Sequence, residues 1–576
     1  MRKALLGLVL LLGFAARLQA QGYSVAQNTA AANPSGLGSI IFVDGVTYPC
    51  TSTGIQAAVT KANGGHVILP SGTCSFDPSV GFSAPNGTWI SGAGKYATTL
   101  RIPNGNNSTI PMVNINGTAP NNIYLSDFTI DGNAQNQTNG GPLIQVLSNG
   151  GKIRIERMVL QNSWADCFIA LSGGSGKYSS DIEILGNEFN VCGHMGSTAG
   201  DVRIFQPLRV KVNGNKFNNS IALASVTFSS QVGAGQVEVA NNHFVGGTGY
   251  GVVLGGGTIG ASDGNVHDNF FSMAPRANQN VIDISYWDNV TIHHNHILAM
   301  GTCCNGISDL PPAFRTVVDG NEIMGSPLLI TNSCIALGGN ATVISHNYCQ
   351  GAGGAGIVLS IGATSQIKGV TITDNIVKNN SLQTSGVKAG IETFLAPGGT
   401  ASLSDVTLRN NQAYDDQASP TQGWGIGIAV AGQSTGYRNI TAENNNVRGN
   451  KSGGIFNGAK SSFGFLFQNN PGDTNIGVCA SSTSPAVCGV ASAGSVTIPA
   501  AATTIVVDTT AVSAASKITV SEDSSLGTLL GVACNTTLRR TYAVTARTSG
   551  TSFTITASAA PSTNPACLNY LIVPAN

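Results

Sequence analysis

The stretch VKVNGNKF, residues 210–217, decides how this chain folds, because the same template returns along much of its length. IEILGNEF begins at 182, VEVANNHF at 237, VTIHHNHI at 290 and VTITDNIV at 370. In each, two apolar residues alternate with polar ones, two polar positions follow, and then come an Asn, another polar residue and an apolar one. The Asn falls at 187, 215, 242, 269, 295, 321, 347, 375, 411 and 445, with steps of 28, 27, 27, 26, 26, 26, 28, 36 and 34. A period of that length and regularity is one coil of a solenoid. IYLSDFTI at 123 and IRIERMVL at 153 fit the apolar half, with Phe128 and Met158 in the Asn slot.

A second strand signal recurs between these segments, as CIALGG at 334, GIVLSIG at 356 and GIGIAVAG at 425. Each coil therefore carries several short strands separated by turns. Period-2 alternation sends Ile, Val, Leu and Phe to one side, and coils stacked in parallel at roughly 4.8 Å bury that side against their neighbours. Asn at a recurring corner tolerates turn backbone and bonds to amides above and below, so the ten Asn are read as corner pieces rather than catalytic groups.

Composition agrees. The 576 residues hold 73 glycines, and 28 Lys+Arg against 28 Asp+Glu leave no net charge. Glycine and the many Asn, Ser and Thr disfavour long helices and suit short strands, which makes the class all-β. There is no basic surface for nucleic acid and no acidic tail. Arg2 and Lys3 precede an apolar run, Ala4 to Ala16, with Ala20 as a small residue for cleavage; residues 1–20 read as a signal peptide, and the mature chain begins near Gln21. No later stretch reaches the roughly 18 apolar residues of a membrane span, so the expectation is a secreted protein, extracellular or periplasmic. Twelve cysteines fit an oxidising compartment. Cys50 with Cys74, Cys479 with Cys488, and Cys534 with Cys567 pair by proximity; Cys167, Cys192, Cys303, Cys304, Cys334 and Cys349 have no assignable partners from sequence.

The repeat resembles the right-handed parallel β-helix of the pectate-lyase-like superfamily over roughly residues 100 to 470. GIQAAVTKANGGHVILPSGTC (54–74), ISGAGKYATTL (90–100) and LSDFTIDGN (125–133) resemble that superfamily's amino-terminal cap and first coils. The expected division is a cap and lead-in over 21–100, a solenoid over 101–470, a linker with a disulfide loop over 471–490, and a β-sandwich over 491–576, where SVTIP, TTIVVD, SKITVSED and SFTITAS alternate.

His293, His294 and His296 fall in different slots around Asn295, two before, one before and one after. Side chains projecting from a flat sheet diverge, so this run is expected on the outer face, with no metal site. Chemistry is sought instead in QNSWADCFIAL (161–171) and NVCGHMGSTAGDVRIF (190–205), which resemble the polygalacturonase-type hydrolases. Asp166 matches the first Asp of that pattern, Gly193-His194 its His motif, and Arg203-Ile204 its last. The Asp-Asp pair is lacking, Met195 follows His194, and Phe205 stands where Lys belongs.

Independently of that likeness, Asp201 follows Asp166 by 35 residues, one coil plus an added loop, which sets two carboxyls at the start of neighbouring strands. Glycoside hydrolysis needs one carboxylic acid and one carboxylate, so Asp166 and Asp201 are the expected catalytic pair, with His194, Arg203 and Trp164 contacting a pectin-like, uronate-containing polysaccharide. No cofactor is expected for hydrolysis. The alternatives are a lyase using Asp263, Asp268, Asp283, Asp288 and Arg276, with calcium as its cofactor, and a non-catalytic glycan-binding surface using Tyr250, Tyr286, Trp287 and Trp424.

Overall fold

The computed structural model describes residues 39–573 except for short internal segments, the longest being 326–331 and 473–478. The signal-peptide segment 1–20 and Cys303 and Cys304 lie outside the described residues. Three parallel sheets run the length of the chain's first part. Sheet A has sixteen strands, from Ile40–Phe42 to Leu466–Gln468; sheet B has thirteen, from Gly72–Ser75 to Gln412–Tyr414; sheet C has thirteen, from Val113–Gly117 to Gly453–Asn457. Successive strands of a sheet come from successive coils, so this is a parallel β-helix. Register follows the repeat: Val210 pairs with Ile182 and Val237, and Phe217 with Phe189 and Phe244.

Inside, like stacks on like. Phe189, Phe217, Phe244 and Phe271 form a column with ring centroids 4.5 to 4.8 Å apart and nearly parallel planes. The Asn ladder forms the corner between sheets A and B. In each step, an Asn backbone N–H and its Nδ2 donate to the Oδ1 of the next Asn, as from Asn295 to Asn321 at 3.0 and 2.9 Å, while Nδ2 also donates back to a carbonyl such as that of Val266. The ladder starts at Met158, whose N–H donates to Asn187 Oδ1, and ends at Asn470.

The residue just before each ladder Asn explains the tightness of this corner. Asn241, Asp268, His294, His346 and Asp374 all have φ of 52 to 57°, and Gly214 and Gly320 take the same left-handed conformation. A left-handed residue followed by the ladder Asn turns the chain between sheets in two residues. Gly, Asn, Asp and His recur there because they are the types that enter this region most readily.

Two expected boundaries move. The solenoid begins before residue 101, since Ile40–Phe42, His66–Ile68, Trp89–Ser91 and Thr98–Arg101 already stack in sheets A and B. The helix Ser52–Ala62, capped by Thr51, buries Ile55, Ala58, Val59 and Ala62 in the same core. The segment 471–490 is not only a linker: Cys479–Ser481 and Ala486–Gly489 pair in parallel with Ala493–Ile498 and Thr504–Thr509, completing edge positions of two four-stranded sheets. Those sheets share one core, with Val496, Leu568 and Tyr570 from one and Val507, Phe553 and Ile555 from the other, which is the expected sandwich.

Five disulfides lie among the described residues. The three expected pairs form, and Cys167–Cys192 and Cys334–Cys349 join sheet C to the turn or strand of sheet B. No helix among the described residues is long and apolar enough to cross a membrane.

Candidate functional site

The three faces of the solenoid are unequal. From Ile123–Ser126 onward the A-to-B turn is two residues long, whereas the connections into and out of sheet C carry the added residues of each coil, as between Asn190 and Gly200 or between Met273 and Ile282. Sheet C is therefore the floor of the one face with walls of variable length.

Asp166, Trp164, His194, Asp201 and Arg203 all belong to this region. Asp166 stands at the corner where the chain enters sheet C, level with Gly200 of the next coil, because Phe168 pairs with Val202. Its Oδ1 accepts from the Gly200 N–H at 2.7 Å and its Oδ2 from Arg203 Nη2 at 2.7 Å. Asp166 is buried, and that desolvation raises its pKa against the opposing pull of Arg203 and of the Gly200 amide. Arg203, on the outward side of its strand, lies over the Phe205 ring. Trp164 and His194 meet beside them with ring centroids 4.9 Å apart, His194 exposed.

Asp201 lies on the neighbouring strand, as the spacing predicts, but one position further along, level with Cys167. That position faces the interior of the B-to-C corner: Cys167 uses it to bond Cys192, and a Cβ on Gly251, two coils beyond Asp201, would strike the core ring of Phe271. Asp201 is 1 % exposed, and its Oδ1 accepts from Ser220 Oγ at 2.8 Å. Its Oδ2 has no hydrogen-bond partner among the described residues. Burial pushes its pKa up to about 8, with the Ser220 and Ser225 hydroxyls pulling back and Asp166 adding to the rise. The two carboxyls are thus neighbours in sequence register, yet Asp201 is turned into the interior and does not share with Asp166 a space that a substrate enters. The 35-residue spacing misses this because the true register is 34, and a one-residue offset at a corner exchanges outside for inside.

The lyase set does not converge. Asp263 lies within the sheet A strand Ala261–His267 and Asp268 just after it, both at left-handed positions, Asp288 lies on the next sheet A strand, and only Asp283 is on sheet C. Arg276 Nη2 donates to the Ile221 carbonyl at 3.1 Å in the connection before that strand. Asp283 is buried, held by Asn280 Nδ2 at 2.6 Å, and desolvation raises its pKa. Of the proposed aromatic platforms, Trp287 is fully buried with Nε1 donating to the Gly255 carbonyl, so it is core. Tyr250, Tyr286 and Trp424 remain partly accessible.

The histidine run lies on the outside, as expected, at the A-to-B corner away from sheet C. His293 stacks on His267 at 4.7 Å, His296 bonds Glu322, and His294 holds a left-handed turn. Among the described residues no three His, Cys, Asp or Glu side chains are grouped to hold a metal ion. Two features escaped sequence reading: the pair Lys388–Glu392 at 2.8 Å on sheet C, and Asp309, which points inward level with Ile284 and Leu337 and whose pKa burial pushes up to about 7. Asp309 interrupts an apolar slot of the repeat, the one signal that marked it.

The three stacked sheets define a parallel β-helix protein. Residues 230–401 match the family described as "Right handed beta helix region". Among solved structures, the chain is similar to the mannuronan C-5 epimerase AlgE6 A-module of Azotobacter vinelandii, at 15% identity over 73% of this chain and 94% of that one, with a TM-score of 0.35. It is also similar to the tailspike gp61 of Pseudomonas phage phi297, at 10% identity over 90% and 92% with a TM-score of 0.42, and to PfbA, a surface adhesin of Streptococcus pneumoniae, at 13% over 66% and 93% with a TM-score of 0.33. No curated protein sequence matches.

Proposed function

We propose that this is a carbohydrate-active protein of the cell exterior that lays a polysaccharide lengthwise along sheet C and cleaves it by hydrolysis at Asp166. The observation that carries this reading is the setting of Asp166 at the edge of the sheet C face. Desolvation raises its pKa, Arg203 donates to one carboxyl oxygen and the Gly200 amide to the other, and Trp164 and His194 stand alongside. An acid so placed protonates a leaving glycosidic oxygen. Asp201 has the part of a brace that fixes the strand carrying Arg203, and five disulfides suit an oxidising exterior.

The inward turn of Asp201 favours a second reading, a glycan-binding face without cleavage, because it leaves Asp166 without a carboxylate partner. A polysaccharide panel scored for new reducing ends and for the ultraviolet absorbance of unsaturated uronates separates the two. New reducing ends without absorbance support hydrolysis; retention of a polymer without either signal supports binding alone; absorbance overturns both in favour of elimination.

A further inference from the structure

Long stretches of the face on which that reading rests are without charge. The stretches 219–234, 246–260, 325–342 and 351–365, which hold sheet C strands with the connections on either side, contain no Asp, Glu, Lys or Arg. On sheets A and B the charges of the same coils are plentiful, such as Arg209 with Asp181 and Lys211 with Glu238.

Other stretches of the face do carry charge, and several of these groups are engaged: Lys451, ahead of the last sheet C strand, donates to Ser385 Oγ at 3.0 Å. Arg203 is bound to Asp166 at 2.7 Å and Lys388 to Glu392 at 2.8 Å. Asp283, held by the Asn280 amide, is a carboxyl with no Lys or Arg bound to it among the described residues. Arg276 lies in the wall with its guanidinium on the Ile221 carbonyl. By strand register the middle row of the floor reads Ile169, Arg203, Thr227, Val253, Asp283, Ser308. Four of these six are hydroxyl or apolar side chains, the charged two being Arg203, bound to Asp166, and Asp283; Tyr250 and Trp424 belong to the same sheet.

A uronate polymer brings a carboxylate with every sugar, and taking a carboxylate out of water is costly unless a cation meets it. Among the described residues, the middle row of this face places no cations on successive coils to do so. Hydroxyls, by contrast, are matched by Asn, Ser and Thr, and the apolar faces of pyranose rings by aromatic side chains. We infer that the polysaccharide recognised along sheet C is a neutral glycan, not the uronate-containing polymer that the sequence resemblance implies. This rests on the reading that a polysaccharide occupies sheet C.

The test is affinity electrophoresis of the full mature chain in gels containing neutral polymers (glucan, xylan, mannan, galactan) or polyanionic ones (polygalacturonate, alginate). Two tryptophan variants locate any binding: Thr227→Trp on the outward side of sheet C and Thr291→Trp on that of sheet A, both checked for an unchanged melting transition. The expected result is retardation by a neutral polymer that changes less than about twofold between about 0.05 and 0.5 M salt. Thr227→Trp should weaken it by about tenfold or more and Thr291→Trp should not. Retardation by the uronates alone, collapsing with salt, overturns the inference and leaves the sheet C reading standing. No retardation by any polymer, or retardation that Thr227→Trp does not alter, overturns the reading itself.

Discussion

Asp201 and Ser220 are joined by a 2.8 Å hydrogen bond at the two positions that, one coil earlier, are the disulfide-bonded Cys167 and Cys192. The register of sheet C sets Asp201 level with Cys167, and that of sheet B sets Asn218 level with Asn190 and hence Ser220 with Cys192. The B-to-C corner is braced twice in succession, once covalently and once by a carboxyl and a hydroxyl. The Cys167–Cys192 pair spans a Cα–Cα distance of 5.6 Å, and the equivalent corner should accept the same link. Asp201→Cys combined with Ser220→Cys is expected to form a disulfide, seen as loss of two titratable thiols, and to raise stability by about 2 to 4 kcal/mol. Two free thiols in the oxidised, folded protein would contradict the equivalence.

The same burial makes stability depend on pH. Asp201 and Asp309 have pKa values raised to about 8 and about 7, from an unfolded value of 3.8. A carboxyl whose folded pKa is raised keeps its proton while the unfolded chain loses its own. Its contribution is thus complete below about pH 4 and is lost as pH climbs through the folded pKa. Each group costs up to about 1.4 kcal/mol per pH unit across that window. The melting temperature of Asp201→Asn should therefore fall less between about pH 5 and pH 8 than that of the wild type. Parallel pH profiles would show that Asp201 is ionised in the folded state.

The ladder should be sensitive in its middle. Asn295 Oδ1 accepts two bonds from Asn269, and its amide donates to Asn321 and to the Val266 carbonyl. Replacing Asn295 by Leu leaves those buried donors and acceptors without partners, and stability should drop by about 1 to 3 kcal/mol. An unchanged melting curve would contradict the role of the ladder.

His294 provides a test of the corner. With φ of 52° it is strained for any branched side chain, so His294→Val should lower stability by about 1 to 2 kcal/mol while His294→Gly leaves it level or raises it. The reverse order would mean that the imidazole, rather than the turn, is what the position needs.

These positions show what the sequence made legible. The ten Asn revealed the solenoid because a corner that repeats ten times leaves a period, and the ladder ends at Asn470, where the strand pattern fades. His294 looked chemical in isolation, but its slot beside Asn295 set it on the outer face; its role as a turn residue shows only in its φ of 52°. Asp166 and Arg203 were found together because both lie near one added loop. Asp201 was placed on the correct strand and the wrong side of it, since spacing counts residues but does not say where a corner bends. Asp309, whose one signal was a break in an apolar slot, and the Lys388–Glu392 pair went unread for a related reason: inward and outward positions are separable only once the register of sheet C is known.

The central claim is that Asp166 supplies the proton for hydrolysis of a polysaccharide held on sheet C. Reducing-end release by wild type and by Asp166→Asn, on whichever polymer responds, tests it most directly. Asn keeps the shape and still accepts from Gly200 but cannot deliver the proton, so release should fall by about a hundredfold or more with the melting transition preserved. Full reducing-end release by a folded Asp166→Asn protein would contradict the account.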